Sequence, residues 1–231
     1  MRAFGKKEQK MNALKIGAMA IVVTVAVPVA AQMDMTLVAE KVSKARQQNA
    51  MKTRDYSWTQ RTEVKLKGET KSLKTEIVRF TVDGELQKTP IDETSAKKPK
   101  GVRGKVAKKK AGEMKDWMAD LSEVLKAYSL PTEGNLLDFL NKAAIAPDGE
   151  GKRLDASDVV QPGDRMSVWI NADHKMVKSE VSTQHDGSDV KLETDHATTP
   201  DGLDYTARTV IVVPDKGVEM TVENYSYQKE R

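Results

Sequence analysis

The chain is 231 residues long, holds no cysteine, and carries 38 Lys and Arg against 34 Asp and Glu. Without cysteine there is no disulfide, no thiol nucleophile and no thiolate metal site. The formal charge of +4 is concentrated in residues 1–31. The remainder is balanced, which excludes a protein-wide basic field and leaves only a local patch.

Those first 31 residues have the make-up of a signal peptide. Lys6, Lys7, Lys10 and Lys15 precede the apolar run Ile16–Val27, and Pro28 and the small residues Val29-Ala30-Ala31 follow. The apolar run of 12 residues falls short of the roughly 20 that a spanning helix needs. Cleavage after Ala31 leaves Gln32 as the mature N-terminus, with Met11 an alternative start that gives a more typical leader. The expected location is periplasmic or secreted. Residues 32–231 are enough for one ordinary core, and one β-rich domain is the economical count.

The next segment, Asp34 to Met51, places Leu37, Val38, Val42 and Ala45 at helical spacing. From Tyr56 to Leu66 the period changes to two. Tyr56, Trp58, Thr62, Val64 and Leu66 share one face, with Arg61, Glu63 and Lys65 on the other. A second strand is expected from Ser72 to Val82, then an Asp83-Gly84 hairpin into Glu85–Thr89, with Pro90 ending the pairing or marking a sheet edge.

Residues 92–111 show no apolar period and contain Pro99, Gly101 and Gly104, which predicts a mobile loop. Lys97, Lys98, Lys100, Arg103, Lys105, Lys108, Lys109 and Lys110 fall there, with no acid from Lys97 to Lys110, making a patch for anionic surfaces. Nucleic acid is not an expected partner, because no aromatic stands among these cations to stack on bases. Anionic lipid head groups fit better, at about 1 kcal/mol per cation near a charged surface.

A helical insertion is expected over 112–146. Met114, Trp117, Met118, Leu121, Val124, Leu125 and Tyr128 make one apolar stripe up to Pro131, and a shorter helix spans Asn135 to Ala144. The stripe can serve as core cover or as a lid with a soft methionine face over an apolar groove.

The C-terminal stretch from Gln161 to Tyr227 is a meander. Pro162-Gly163, Ala172-Asp173, Asp186-Gly187, Pro200-Asp201-Gly202 and Pro214-Asp215-Lys216-Gly217 separate runs of alternating polarity. The fold class is α+β: a curved antiparallel sheet, an unclosed β-barrel of about nine strands, whose concave face is covered by an N-terminal helix and a two-helix insertion.

Motifs for catalysis are missing: there is no G-x-S-x-G elbow and no H-E-x-x-H. His174, His185 and His196 recur every 11 residues, but a meander puts successive ones at opposite strand ends, too far apart to share one ion. No catalytic residue, metal site or cofactor is expected, and the chain is read as a binding protein rather than an enzyme.

This order of elements, with DYSWTQRTEVKLKGETKSLKTEIVRFTVDGELQKTPI (Asp55–Ile91), EMKDWM (Glu113–Met118), QPGDRMSVWI (Gln161–Ile170) and PDGLDYTARTVIVVPDKGVEMTVENYSY (Pro200–Tyr227), resembles the periplasmic lipoprotein-carrier superfamily, LolA and LolB-like. The resemblance implies an unclosed barrel lidded by helices over an apolar cavity, with a lipid or lipoprotein acyl chain as the partner. Candidates for the groove are Tyr56, Trp58, Val64, Leu66, Met114, Trp117, Met118 and Leu121. The superfamily governs its lid with an arginine on the inner sheet face; Arg61 and Arg79 are the strand arginines of the first half, and neither is assigned that role. The alternative is an envelope protein that uses the basic stretch to hold anionic lipid or polymer and has no ligand cavity.

Export is checked by N-terminal sequencing of protein from the periplasmic or secreted fraction. The expected first residue is Gln32; an intact Met1 or Met11 on soluble cytoplasmic protein contradicts the leader.

Overall fold

Turns set the architecture. The computed structural model describes residues 35–95 and 101–230, with backbone only at residues 95, 101–108, 110 and 111. Lys67-Gly68 and Asp186-Gly187 both have positive φ at two successive residues. That is the conformation whose twist matches a two-residue hairpin, and glycine reaches it without a Cβ clash. Gly163, Gly202 and Gly217 are also left-handed, so most of the predicted breaks in the meander are real reversals.

Between the reversals lie α1 (Met35–Thr53), β1 (Tyr56–Leu66), β2 (Glu69–Phe80), β3 (Leu86–Ser95), α2 (Gly101–Ala127), α3 (Glu133–Lys142), β4 (Ala144–Asp148), β5 (Gly151–Ser157), β6 (Arg165–Ile170), β7 (Met176–His185), β8 (Ser188–Thr198), β9 (Asp204–Val213), a short turn of 3-10 helix at Pro214–Lys216, and β10 (Val218–Lys229). All strands join one sheet in the order β3-β2-β1-β10-β9-β8-β7-β6-β5-β4, and every pairing is antiparallel. The sheet is curved but not closed, so β3 and β4 are its two edges. Each edge contains a proline, Pro90 and Pro147. A proline has no N–H to offer a further strand, which discourages edge-to-edge pairing.

Three expectations change. Among the described residues the strands number ten rather than about nine, because Ala144–Asp148 forms β4 where a helix end and Pro147 were read as a stop. Strand β3 runs past Pro90 to Ser95, accommodated by a register shift between Thr75 and Glu76 on β2. The span read as a basic loop is largely regular: β3 reaches residue 95 and α2 begins at Gly101. Lysine, arginine and alanine are good helix formers, and once the apolar half of α2 has nucleated, adding turns costs little. Lys97, Lys98 and Lys100 lie outside the described residues.

The helices cover one sheet face. Leu154, Ala156, Met166, Val168, Val181, Val190, Ile211, Val213 and Val218 point into a core shared with Ala39, Leu121, Leu125, Tyr128, Leu136, Phe139 and Leu140 of the helical layer. Helix α3 starts at Thr132, whose hydroxyl accepts from the Asn135 N–H at 3.1 Å, satisfying one of the free donors of a helix start. Helix α1 is tied at two points. The Arg46 guanidinium donates to the Ser129 and Leu130 carbonyls at 3.3 and 2.9 Å, placing a cation where α2 has just ended. Asn49 exchanges two hydrogen bonds with the backbone of Asp204.

One buried group fixes the far end of α2. Asp164, 1% exposed, lies in the β5–β6 turn and accepts from the N–H groups of Val159, Val160 and Gln161 at 2.6, 2.9 and 2.9 Å. The Tyr128 hydroxyl, just past α2, donates to the same carboxylate at 2.7 Å and lies 2.8 Å from the Thr183 hydroxyl on β7. Burial acts to raise the Asp164 pKa, but the backbone donors and Tyr128 outweigh it and hold the group below the ordinary carboxylate value. Burial, with the neighbouring carboxylate, pushes the Tyr128 phenol up.

Asp164→Asn should cost at least about 2 kcal/mol in urea unfolding at pH 7, because hydrogen bonds to a buried charged acceptor become worse-matched ones. The sign with pH follows from the depressed folded pKa. The charged carboxylate stabilises fully above its unfolded value of about 3.9 and progressively less as pH falls through the lower folded value. The gap between wild type and Asp164→Asn should therefore be constant from pH 5 to 8 and close below about pH 4.

Candidate functional site

The groove candidates separate into two groups at opposite ends of the sheet. Tyr56 and Trp58 begin β1. Trp58 stacks on Tyr227 with ring centroids 5.4 Å apart, and Tyr227 meets Tyr205 at 4.3 Å. Phe80 lies 6.1 Å from Trp58 on the other side. The cross-strand partner of Trp58 is Val78, which is fully buried. Tyr56 is buried too, and its hydroxyl bonds Asp201. The four rings of Trp58, Phe80, Tyr205 and Tyr227 are half-buried and pack on one another as an aromatic cluster.

Val64 and Leu66 lie at the other end of β1, paired across β10 with Met220 and Val218. Leu66, Met114, Trp117, Met118 and Met220 all fringe the core without being fully buried, whereas Leu121 is 0% exposed. Trp117 fixes where α2 crosses the sheet. Its ring lies 5.1 Å from the His185 ring at the end of β7, and the Lys216 ammonium sits 4.6 Å from its centroid. Lys216 lies in the turn just before β10, and Val218 and Tyr227, towards opposite ends of that strand, are separated by roughly 30 Å at about 3.3 Å per residue.

Between the two groups the inner face is polar. Lys88 Nζ donates to Gln60 Oε1 at 2.7 Å, Gln60 Nε2 to Asn224 Oδ1 at 2.9 Å, and Asn224 Nδ2 to the Thr206 carbonyl at 2.9 Å. Glu76, opposite Gln60 and 6% exposed, pairs with Lys74 at 2.5 Å. Gln60 shares the parity of Trp58 and Val64, so alternation places it inward; its polarity is the cue that one apolar groove does not run the whole length of β1. No sequence pattern announced its partners, which come from β3 and β10.

Burial grades along α2. Leu121, Leu125 and Tyr128 are buried, Met114, Trp117 and Met118 are half-buried, and Lys109 is exposed with an ion pair to Glu113 at 3.8 Å. The basic residues Arg103, Lys105, Lys108, Lys109 and Lys110 lie on the first three turns of the same helix. The patch and the Met-rich stripe are therefore consecutive parts of one rod of 27 residues.

Arg61 and Arg79 both lie on the outer parity. Arg61 pairs with Glu223 at 3.0 Å and Arg79 with Gln87 at 3.0 Å. Trp169 also faces outward, with the Lys178 ammonium 5.5 Å from its ring. Two open clefts lie elsewhere: one of about 200 Å³ between α1 and the α2–α3 turn, around Arg46 and Leu130, and one of about 370 Å³ beside Trp169 and Asp173. Neither is lined by the Met114–Leu121 face. Among the described residues no three His, Asp or Glu side chains come together as a metal site.

No family model matches the chain, and no curated protein does. Several solved structures are similar to it, among them two bacterial proteins. A DUF1329 family protein from Desulfovibrio piger aligns with a TM-score of 0.35 and 9% identity over 86% of this chain and 94% of that one. A LolA superfamily protein from Nitrosomonas europaea aligns with a TM-score of 0.36 and 8% identity over 80% of this chain and 92% of that one.

The burial gradient predicts a matching gradient in stability. Leu121→Ala should cost about 2–5 kcal/mol through the cavity it leaves. Met114→Ala and Met118→Ala should each cost under about 1 kcal/mol, as half-exposed positions do. Urea unfolding of the three variants checks this; equal losses at all three would show a closed interface along the whole helix.

Proposed function

We propose that this is an exported, non-enzymatic protein that holds a single acyl chain, from a lipid or a lipoprotein, between the first half of the α2 apolar stripe and the sheet end formed by Leu66, Val218 and Met220. The observation that carries it is the gradient along α2: rigidly held at Tyr128, half-buried at Met118, Trp117 and Met114. A helix pinned at one end and lightly packed at the other is a lid with a built-in hinge. Methionine is the side chain best suited to such a face, because its unbranched, polarisable chain repacks against whatever replaces the sheet beneath it. A bound chain takes its space where these methionine side chains repack, and α2 closes over it once it is loaded. Burying its apolar surface contributes about 25 cal/mol per Å², which offsets the few contacts α2 gives up.

The polar row of Gln60, Glu76 and Asn224 bounds the site. A chain running further toward Trp58 would strip water from these groups without replacing their partners, which is unfavourable. The acyl site is therefore short and confined to the Trp117 end. The basic first turns of α2 then have a role in the same cycle: they sit against an anionic membrane surface while the lid is open, so loading happens at the bilayer.

Two outcomes check this. Dodecanoate added to delipidated protein should shift tryptophan emission. Trp117→Phe should abolish the shift, and Trp58→Phe and Trp169→Phe should keep it; a shift carried by Trp58 or Trp169 contradicts the site. Replacing Lys97, Lys98, Lys100, Lys108, Lys109 and Lys110 by Gln should leave the thermal midpoint nearly unchanged, since a run of like charges gives the fold little ion pairing to lose. It should also weaken binding to phosphatidylglycerol vesicles, and wild-type binding should fade with added salt. Binding that ignores salt would contradict a charge-driven encounter.

A further inference from the structure

Resting on the acyl-chain reading above, we infer that the Trp117 end of the seam carries a headgroup site, in which Trp117, His185 and Lys216 take the anionic oxygen of a carboxylate or phosphate at the end of the bound chain. Three observations converge there. The Trp117 indole Nε1 and the His185 Nε2 are both buried atoms with no hydrogen-bond partner among the described residues, and their rings are 5.1 Å apart. The indole N–H is a buried donor without an acceptor, which is costly, so it marks a place where an acceptor belongs, with the His185 ring beside it. The Lys216 ammonium stands 4.6 Å from the same indole and pairs with no carboxylate among the described residues.

The surrounding charge agrees in sign. Lys67 adjoins Lys216 across the turn, its N–H donating to the Gly217 carbonyl at 2.6 Å, and its side chain also lacks an ion pair among the described residues. Against these stand Asp186 and Asp215. Asp186 is exposed, and its carboxylate is 3.7 Å from His185 Nε2, beyond hydrogen-bond reach. Asp215 begins the same short turn as Lys216. The Lys216 ammonium and the indole N–H donor thus flank the mouth of an apolar seam, with Lys67 on the adjoining turn. The arrangement suits an amphiphile with an anionic head and an apolar tail; a neutral head would leave the ammonium groups without an anion, and a cationic head would be repelled.

The chemistry is that of an anionic oxygen, whether from a free fatty acid or from a lipid phosphate. Affinities of dodecanoate, dodecyl phosphate, dodecanol and dodecyltrimethylammonium for the delipidated protein, read by isothermal calorimetry, test it. A charge-assisted contact corresponds to dodecanoate or dodecyl phosphate binding at least about tenfold tighter than dodecanol. Whichever of the two anions binds tighter identifies the source. Lys216→Gln, a change at a half-buried turn position that should leave folding intact, should cut the preference by at least about fivefold and leave dodecanol binding unchanged. Trp117→Phe keeps the ring and removes the donor, and should also lower the anion preference. Dodecanol binding as tightly as both anions, a preference for the cationic head, or a Lys216→Gln variant with undiminished preference overturns the headgroup site and leaves the acyl seam standing. Failure of all four amphiphiles to bind overturns the seam itself and the headgroup site with it.

Discussion

A carboxylate with almost no exposure to water holds the helical layer to the sheet. Asp164 gathers three backbone N–H groups of its own turn and the Tyr128 hydroxyl, so the turn between β5 and β6 is rigid and the end of α2 is attached to it. A buried charge is tolerated only when it is surrounded by donors, and that requirement fixes Tyr128 in one place. Arg46 adds a second tie from α1 to the carbonyls just beyond α2. Everything toward the start of α2 is then free to be packed less tightly without loosening the fold.

The sheet shows the same division of labour. Toward β5–β9 the inner face is aliphatic and covered. Toward β1, β2 and β10 it becomes a row of amides and charges, bounded by an aromatic cluster at one end and the Met-rich seam at the other. An unclosed sheet has the freedom to do this, because its β1–β3 side need not meet its β4 side. The two edges are protected locally instead, by Pro90 and Pro147.

Much of this was legible in the sequence, for identifiable reasons. Pairs such as Asp186-Gly187 permit few backbone conformations, so the meander could be read from its turns, and the alternation from Val190 to Thr194 told its faces apart. The stripe from Met114 to Tyr128 is a local pattern and predicted its helix. What could not be read was non-local. Residues 101–111 lack apolar periodicity, and their helix is an extension of a neighbour rather than a property of their own. Pro147 looked like a stop because nothing nearby says that β5 will pair with it. Trp58 and Trp117 both read as groove residues because both face inward, but Trp58 lies against Tyr227 and Trp117 against Lys216, with most of β10 between those two residues in the chain. His185 and Lys216 belong to different turns, and only the strand order brings both to Trp117.

The central claim is that α2 is a lid fixed at Tyr128 and released near Met114. Amide hydrogen exchange along this one helix, measured with and without dodecanoate, tests it most directly. The account predicts slow exchange near Leu125 in both states, faster exchange from Met114 to Met118 in the free protein, and a ligand-induced change confined to that faster half. Uniform protection along α2, unaltered by the amphiphile, would contradict it.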